Sequence, residues 1–137
     1  MGLFHFYDIG NTEIYVFDDF MIKQVKEGVF IDKQDVRQLV EIIDKHFKSK
    51  KFGFISNRVN SYTINPLTYS EANKIDNLIV FAVITNDAKM RETSEFENKF
   101  HNKPFSVFEN LSDAIVWIND ALKQNNNQTN STSLKEK

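Results

Sequence analysis

The sequence has no cysteine. Disulfides and thiolate metal sites are therefore excluded, and a reducing compartment is the natural setting, so a cytoplasmic location is expected. A basic excess is also missing. Seventeen Lys and Arg stand against 19 Asp and Glu, giving a net charge of -2 and a pI near 5.9. A general nucleic-acid binder presents a basic face, so no nucleic-acid partner is expected. No apolar run reaches membrane length. The run Leu78–Ile84 has seven residues, against the roughly 20 that a spanning helix needs, so no membrane insertion is expected. The start, Met1-Gly2-Leu3-Phe4-His5-Phe6, has no basic region and soon meets Asp8, which does not read as a signal peptide. Phe6 stands where myristoylation of Gly2 would need Ser or Thr. The Asn127 and Asn130 glycosylation patterns read as chance matches in an Asn-rich stretch. His5, His46 and His101 show no metal-ligand spacing, and no Gly-x-Ser-x-Gly elbow is present. The expectation is a chain without metal, cofactor or catalytic residues.

What the chain does have is a centre. Leu78-Ile79-Val80-Phe81-Ala82-Val83-Ile84 is opened by Asp76-Asn77 and closed by Thr85-Asn86-Asp87. Its length and β-branched content favour a strand. A strand apolar on both sides is covered on both sides, which places it inside a mostly parallel sheet flanked by helices. Residues 3–9, 13–17 and 20–26 read as three strands joined by links too short for a crossover, hence an antiparallel meander. Asp32 is a good N-cap, with Asp35 three residues on, and Val36, Leu39, Val40, Ile43 and Phe47 follow helical spacing. Phe52–Ser56 reads as the next strand. Asn65-Pro66 signals a short helix to about Ile75. Beyond the central strand, Asn86 or Asp87 caps a helix to about Phe100, with Met90, Phe96 and Phe100 on its buried side. A last strand spans 105–108. A last helix carries Leu111, Ala114, Ile115, Ile118 and Leu122 on its stripe, flanked by Trp117. From residue 124 the chain is Gln, Asn, Ser, Thr and Lys with almost nothing apolar. The expected organisation is one domain over 1–123 and a disordered polar tail over 124–137.

This element order, with Phe52-Gly53-Phe54-Ile55-Ser56, the 78–84 strand and the closing Leu111-Ser112-Asp113-Ala114-Ile115-Val116-Trp117-Ile118, resembles the SpoIIAA-like branch of the STAS domains over roughly residues 4–122. The resemblance implies an α/β fold: a β-α superhelix with a mixed, mostly parallel sheet, flanking helices and an N-terminal antiparallel meander. It also implies a non-catalytic regulatory module that works by binding a protein partner, in some members switched by phosphorylation of a Ser or Thr. The matching region here, Asn60-Ser61-Tyr62-Thr63-Ile64-Asn65-Pro66, offers Ser61 and Thr63 as hydroxyls. It lacks the Asp before and the Gly after that such switch turns carry.

In open α/β sheets, ligands and partners meet the loops beyond the strand carboxyl ends. Two loops stand out, Asn57–Thr63 and Thr85–Asp87. Together they offer a guanidinium, hydroxyls, amides and a helix N-terminus. The candidate binding residues are Asn57, Arg58, Asn60, Ser61, Tyr62 and Asp87. The plainer reading makes Asn60 and Ser61 turn residues, Arg58 a solvated or salt-bridged surface group and Asp87 a cap. On the functional reading, Arg58→Ala or Tyr62→Ala weakens partner binding and leaves the melting temperature within a few degrees. The alternative function is a small anionic ligand or lipid-binding domain, using these loops or the helix–sheet gap. Phe4, Phe6, Tyr7 and Tyr15 mark a face of the meander suited to a homodimer or a partner.

Overall fold

The computed structural model describes the backbone of residues 4–136 and the side chains of residues 4–126. The readings on Met1-Gly2-Leu3 and on the Asn127 and Asn130 side chains fall outside the described residues. In chain order the elements are β1 (His5–Asp8), β2 (Thr12–Val16), β3 (Phe20–Val25), β4 (Phe30–Ile31), α1 (Lys33–Phe47), β5 (Phe52–Asn57) and β6 (Thr63–Ile64). There follow α2 (Thr68–Ala72), β7 (Leu78–Ile84), α3 (Ala88–Glu97) with a 3₁₀ turn at Asn98–Phe100, β8 (Phe105–Phe108) and α4 (Leu111–Glu136).

The expected central strand is β7. It lies inside a six-stranded sheet of order β1-β2-β3-β5-β7-β8. β1 to β3 form the antiparallel meander, and β3, β5, β7 and β8 run parallel. The sheet is covered on both sides. Leu78, Phe81 and Val83 pack with Phe52, Phe54 and the α1 residues Ile42, Ile43 and Phe47. Val80, Ala82 and Ile84 pack with Ala114, Ile118 and Leu122 of α4. An irregularity at Phe52/Gly53 lets Leu78 share the α1 side with Phe81 despite the odd separation. Each such fully buried side chain contributes about 1.5–3 kcal/mol relative to exposure, so these two layers hold the strand ends that carry the loops described below.

Helix α4 presses close to the sheet at Gly53, where a Cβ would lie 2.5 Å from Ile118 Cγ2. The capping of α1 is as the sequence implies. Asp32 accepts from the Lys33 N–H at 2.8 Å, and Asp35 accepts from the Asp32 N–H at 2.8 Å. Other elements differ from expectation. The stretch after β5 is not wholly irregular, because Phe30–Ile31 and Thr63–Ile64 pair as a small parallel ribbon; two-residue strands are too short to show a period of two. α2 starts at Thr68 rather than Pro66. Asn65 instead closes a turn, its Oδ1 accepting from the Leu67 N–H and its C=O from the Thr68 N–H. The helical backbone of α4 continues to Glu136, through the polar stretch that composition marks as a tail. On the meander, Phe4 and Phe6 are about half exposed beside Tyr15. Tyr7 points to the other side, into the α1 layer. Strand alternation separates it from Phe6.

Candidate functional site

The parallel register sets Asn57 of β5 beside Ile84 of β7, so the loops after both strands leave the same edge of the sheet. Arg58 extends the ladder by one rung, its N–H donating to the Ile84 C=O at 2.9 Å. The Asp87 carboxylate caps α3 by accepting from the Met90 N–H at 3.0 Å. Between the 58–64 segment and α3 lies an open groove of about 710 Å³. Arg58, Asn60, Ser61, Tyr62, Thr63 and Asp87 all line it, together with Val59, Met90, Phe96 and Phe100. Asn57 does not; its side-chain amide turns to Gln24 of β3. Five of the six candidate binding residues, and both candidate hydroxyls, therefore share one concavity.

Their individual settings are unequal. Arg58 is only 6% exposed. Its Nη1 lies 2.6 Å from Glu97 Oε1 and donates to Ser94 Oγ at 3.1 Å. Nε donates to Ser56 Oγ at 3.3 Å, and Nη2 to the Tyr69 hydroxyl at 3.5 Å. The Tyr62 ring lies 5.7 Å from the guanidinium carbon, in a cation–π arrangement. Burial alone would lower the Arg58 pKa, but Tyr62, Glu97 and Tyr69 outweigh it and raise it, so the cation is locked on. Burial also pushes the Tyr69 hydroxyl far up, with Arg58 opposing. This corrects the picture of Arg58 as a surface fork offered to an anion. Its donors are consumed by the protein, and it braces the groove from within.

That bracing explains α3, where the sequence is most misleading. By sequence, Met90, Phe96 and Phe100 form the buried side. Instead Ser94 and Glu97 are buried, while Phe96 and Phe100 are 54% and 38% exposed. A buried guanidinium needs a carboxylate and hydroxyls, so α3 turns its polar stripe inward and leaves its phenylalanines on the groove. The residues missed by sequence reading are Glu97, Ser94 and Tyr69. A lone Glu and Ser at i, i+3 on a helix carry no signal until Arg58 is placed opposite.

Ser61 and Thr63 are exposed. The Ser61 N–H donates to Glu27 Oε2 at 2.6 Å and its C=O accepts from the Gly28 N–H at 2.7 Å. Asn60 is tied down, its amide donating to the Val25 C=O at 3.0 Å.

A second cluster lies deeper, between α1, α2 and the sheet. Lys23 of β3 reaches a cavity of about 40 Å³ lined mainly by apolar side chains, with Ser56, Arg58 and Tyr69 at its polar edge. Its ammonium sits over Phe54 and has no hydrogen-bond partner among the described residues. Burial, then Arg58, hold its pKa down to about 8, against the pull of Glu97 and Asp35. His101 is packed against Tyr69, Phe81 and Phe105. Burial, then Arg58 and Lys23, lower it to about 4. It does not line the groove with Ser61 and Asp87. The other two histidines are not scattered as they read in sequence, since His5 and His46 approach to 4.6 Å between ring centroids. Among the described residues, no group of three or more His, Cys, Asp or Glu is placed to hold a metal ion. Nor, among the described residues, is any helix long and apolar enough to cross a membrane.

An antiparallel meander feeding parallel strands that alternate with helices, with the loops at one sheet edge bounding the groove, defines a SpoIIAA-like α/β fold, as the resemblance implies. A solved structure of an uncharacterised protein from Shewanella loihica PV-4, described as a DUF3478 family member with a SpoIIAA-like fold, is similar to this chain with a TM-score of 0.51 and 11% sequence identity, covering 85% of this chain and 92% of that one. At that identity the likeness establishes the fold. No protein-family model matches the chain, and no curated protein matches it.

Proposed function

We propose that this protein is a non-catalytic, STAS-type regulatory module of the cytoplasm that binds a protein partner through the groove between the 58–64 segment and α3. One observation carries the reading. The groove's polar floor is self-compensated by the Arg58–Glu97 pair, while Val59, Phe96 and Phe100 remain exposed along it. A surface whose buried charges are paired with each other and whose apolar groups are exposed fits a macromolecular contact better than a reaction. Asn60, Ser61, Tyr62, Thr63 and Asp87 form the polar rim, with Asn57 behind it.

Phosphorylation of Ser61 or Thr63 would regulate the same surface. A phosphate on Ser61 would set a charge of about -2 beside the Glu27 carboxylate that holds the Ser61 N–H, and repulsion would loosen the segment. The test is an affinity pull-down from the native lysate read by mass spectrometry, with Phe96→Glu as the control bait. Phe96 is the better control than Arg58 because its exposed side chain can change without unfolding the chain. A partner held by wild type and by Tyr15→Ala, and lost with Phe96→Glu, supports the reading. Equal capture by all three baits sinks the site.

A second reading has its own observation, the Lys23 ammonium that lies without a hydrogen-bond partner among the described residues at an apolar cavity. It supports binding of a small amphipathic anion in the helix–sheet gap, which would require the gap to widen well beyond 40 Å³. Native mass spectrometry of freshly purified protein checks this. Added mass in wild type that is absent from Lys23→Met favours it, and the bare chain mass in both rejects it.

A further inference from the structure

The groove has a wall of unusual kind. In the β4–β6 ribbon, the odd-numbered residues face β4. The Ser61 C=O accepts from the Gly28 N–H, the Thr63 N–H donates to the Val29 C=O at 2.9 Å, and the Asn65 N–H donates to the Ile31 C=O at 2.9 Å. Extended backbone alternates, so the N–H and C=O groups of Tyr62 and Ile64 point away from β4. Among the described residues β6 pairs with β4 alone, through the odd-numbered residues, so Tyr62 and Ile64 face no strand partner. An unpaired row of this kind is a template for another strand. A two-stranded ribbon is also marginal by itself, and a third strand would stabilise it. Tyr62 and Ile64 line the groove, and its opposite wall is the α3 side that carries Phe96.

From this edge, we infer that the groove takes an extended peptide segment of the partner, which adds to β6 as a third strand and lays alternate apolar side chains against Phe96, Phe100 and Val59. The inference rests on the partner-binding reading above and specifies its chemistry. Main-chain pairing to Tyr62 and Ile64 supplies up to four hydrogen bonds and tolerates many sequences, while the apolar wall selects every second residue. Charge narrows the class further. Arg58 and Glu97 cancel beneath the surface, and the charged side chains left along the groove are Glu27 and Asp87 against Lys89. The net negative balance favours a segment flanked by Lys or Arg over an acidic one. An amphipathic helix is the competing occupant. It would satisfy the apolar wall but leave the β6 edge unpaired.

The experiment uses the full chain and a random dodecapeptide phage library, with counter-selection on Phe96→Glu. The most enriched peptide is synthesised unmodified and in two N-methylated forms, one for each set of alternate residues. Amide exchange of Tyr62 and Ile64 is followed by NMR. The expected result is an alternating apolar sequence with a basic flank, at least tenfold weaker binding for one N-methylated form but not the other, and at least tenfold slower exchange at Tyr62 and Ile64. If a peptide binds in a Phe96-dependent way while both N-methylated forms bind equally well and those two amides are unprotected, strand addition is wrong and the groove reading survives. If no Phe96-dependent peptide is enriched, the inference falls, and the lysate pull-down decides the broader reading separately.

Discussion

Replacing Arg58 by Ala should unfold much of the margin that holds this domain together. The guanidinium is 2.6 Å from a Glu97 carboxylate, and both side chains are nearly inaccessible, at 2% and 7%. Truncation leaves Glu97 buried without its counter-ion and removes a donor from Tyr69 and Ser56. Breaking a buried pair by removing one member costs about 3–5 kcal/mol, whereas an exposed pair is worth about 0–1 kcal/mol. For a domain of this size each kcal/mol shifts the melting temperature by about 4 °C, so the drop should be roughly 12–20 °C. Urea denaturation gives the free energy directly. One further readout isolates the cause. An apolar replacement of both partners, Arg58→Met with Glu97→Leu, should recover most of the loss, because the pair is costly mainly when half-broken. An Arg58→Ala loss within about 1 kcal/mol of zero, or a double variant no better than the single one, would refute this account and return Arg58 to the surface role that its loop position suggests.

Three other outcomes follow from the same geometry. Gly53→Ala places a Cβ 2.5 Å from the fully buried Ile118 side chain, which has nowhere to swing, and should cost about 1–3 kcal/mol in urea melts; an unchanged midpoint would show that α4 does not press there. His101 stays neutral to about 4 when folded and to about 6.5 when unfolded, so the unfolded state binds more protons between these values. Stability should fall by on the order of 2–3 kcal/mol as pH drops from 6.5 to 4, with His46 adding in the same direction. His101→Phe should flatten that slope, and an equally steep slope in the variant would contradict the assignment. Lys23, lowered to about 8 from 10.5, costs stability while charged in the folded state. Lys23→Met should therefore gain about 1–3 kcal/mol at pH 7, and the gain should shrink as pH rises from 8 to 10.5. A loss at pH 7 would mean that the ammonium has a partner in solution.

Local patterns along the chain specify the sheet and its coverings. A seven-residue apolar run such as Leu78–Ile84 can lie only where both faces are covered, and the Asp32–Asp35 capping box and the Ala114, Ile118, Leu122 stripe each contain their own local instruction. The sequence also implied that both candidate loops leave one edge of the sheet, because parallel strands must send their following loops to one side. What it could not determine was which side chains on those loops would stay in water. Arg58 and Phe96 read one way by residue type and lie the other way in the fold. The reason is a contact between residues 39 positions apart in sequence: once Arg58 is buried at the end of β5, α3 must supply Glu97 and Ser94 to compensate it, and helical spacing then forces Phe96 outward. The ribbon of β4 and β6 has the same origin. Two residues on each side have no period to read, and only the tertiary approach of Phe30–Ile31 to Thr63–Ile64 makes them strands. Local patterns act over a few residues and survive in the sequence. Charge compensation across the core acts between distant residues and appears only when the chain is folded.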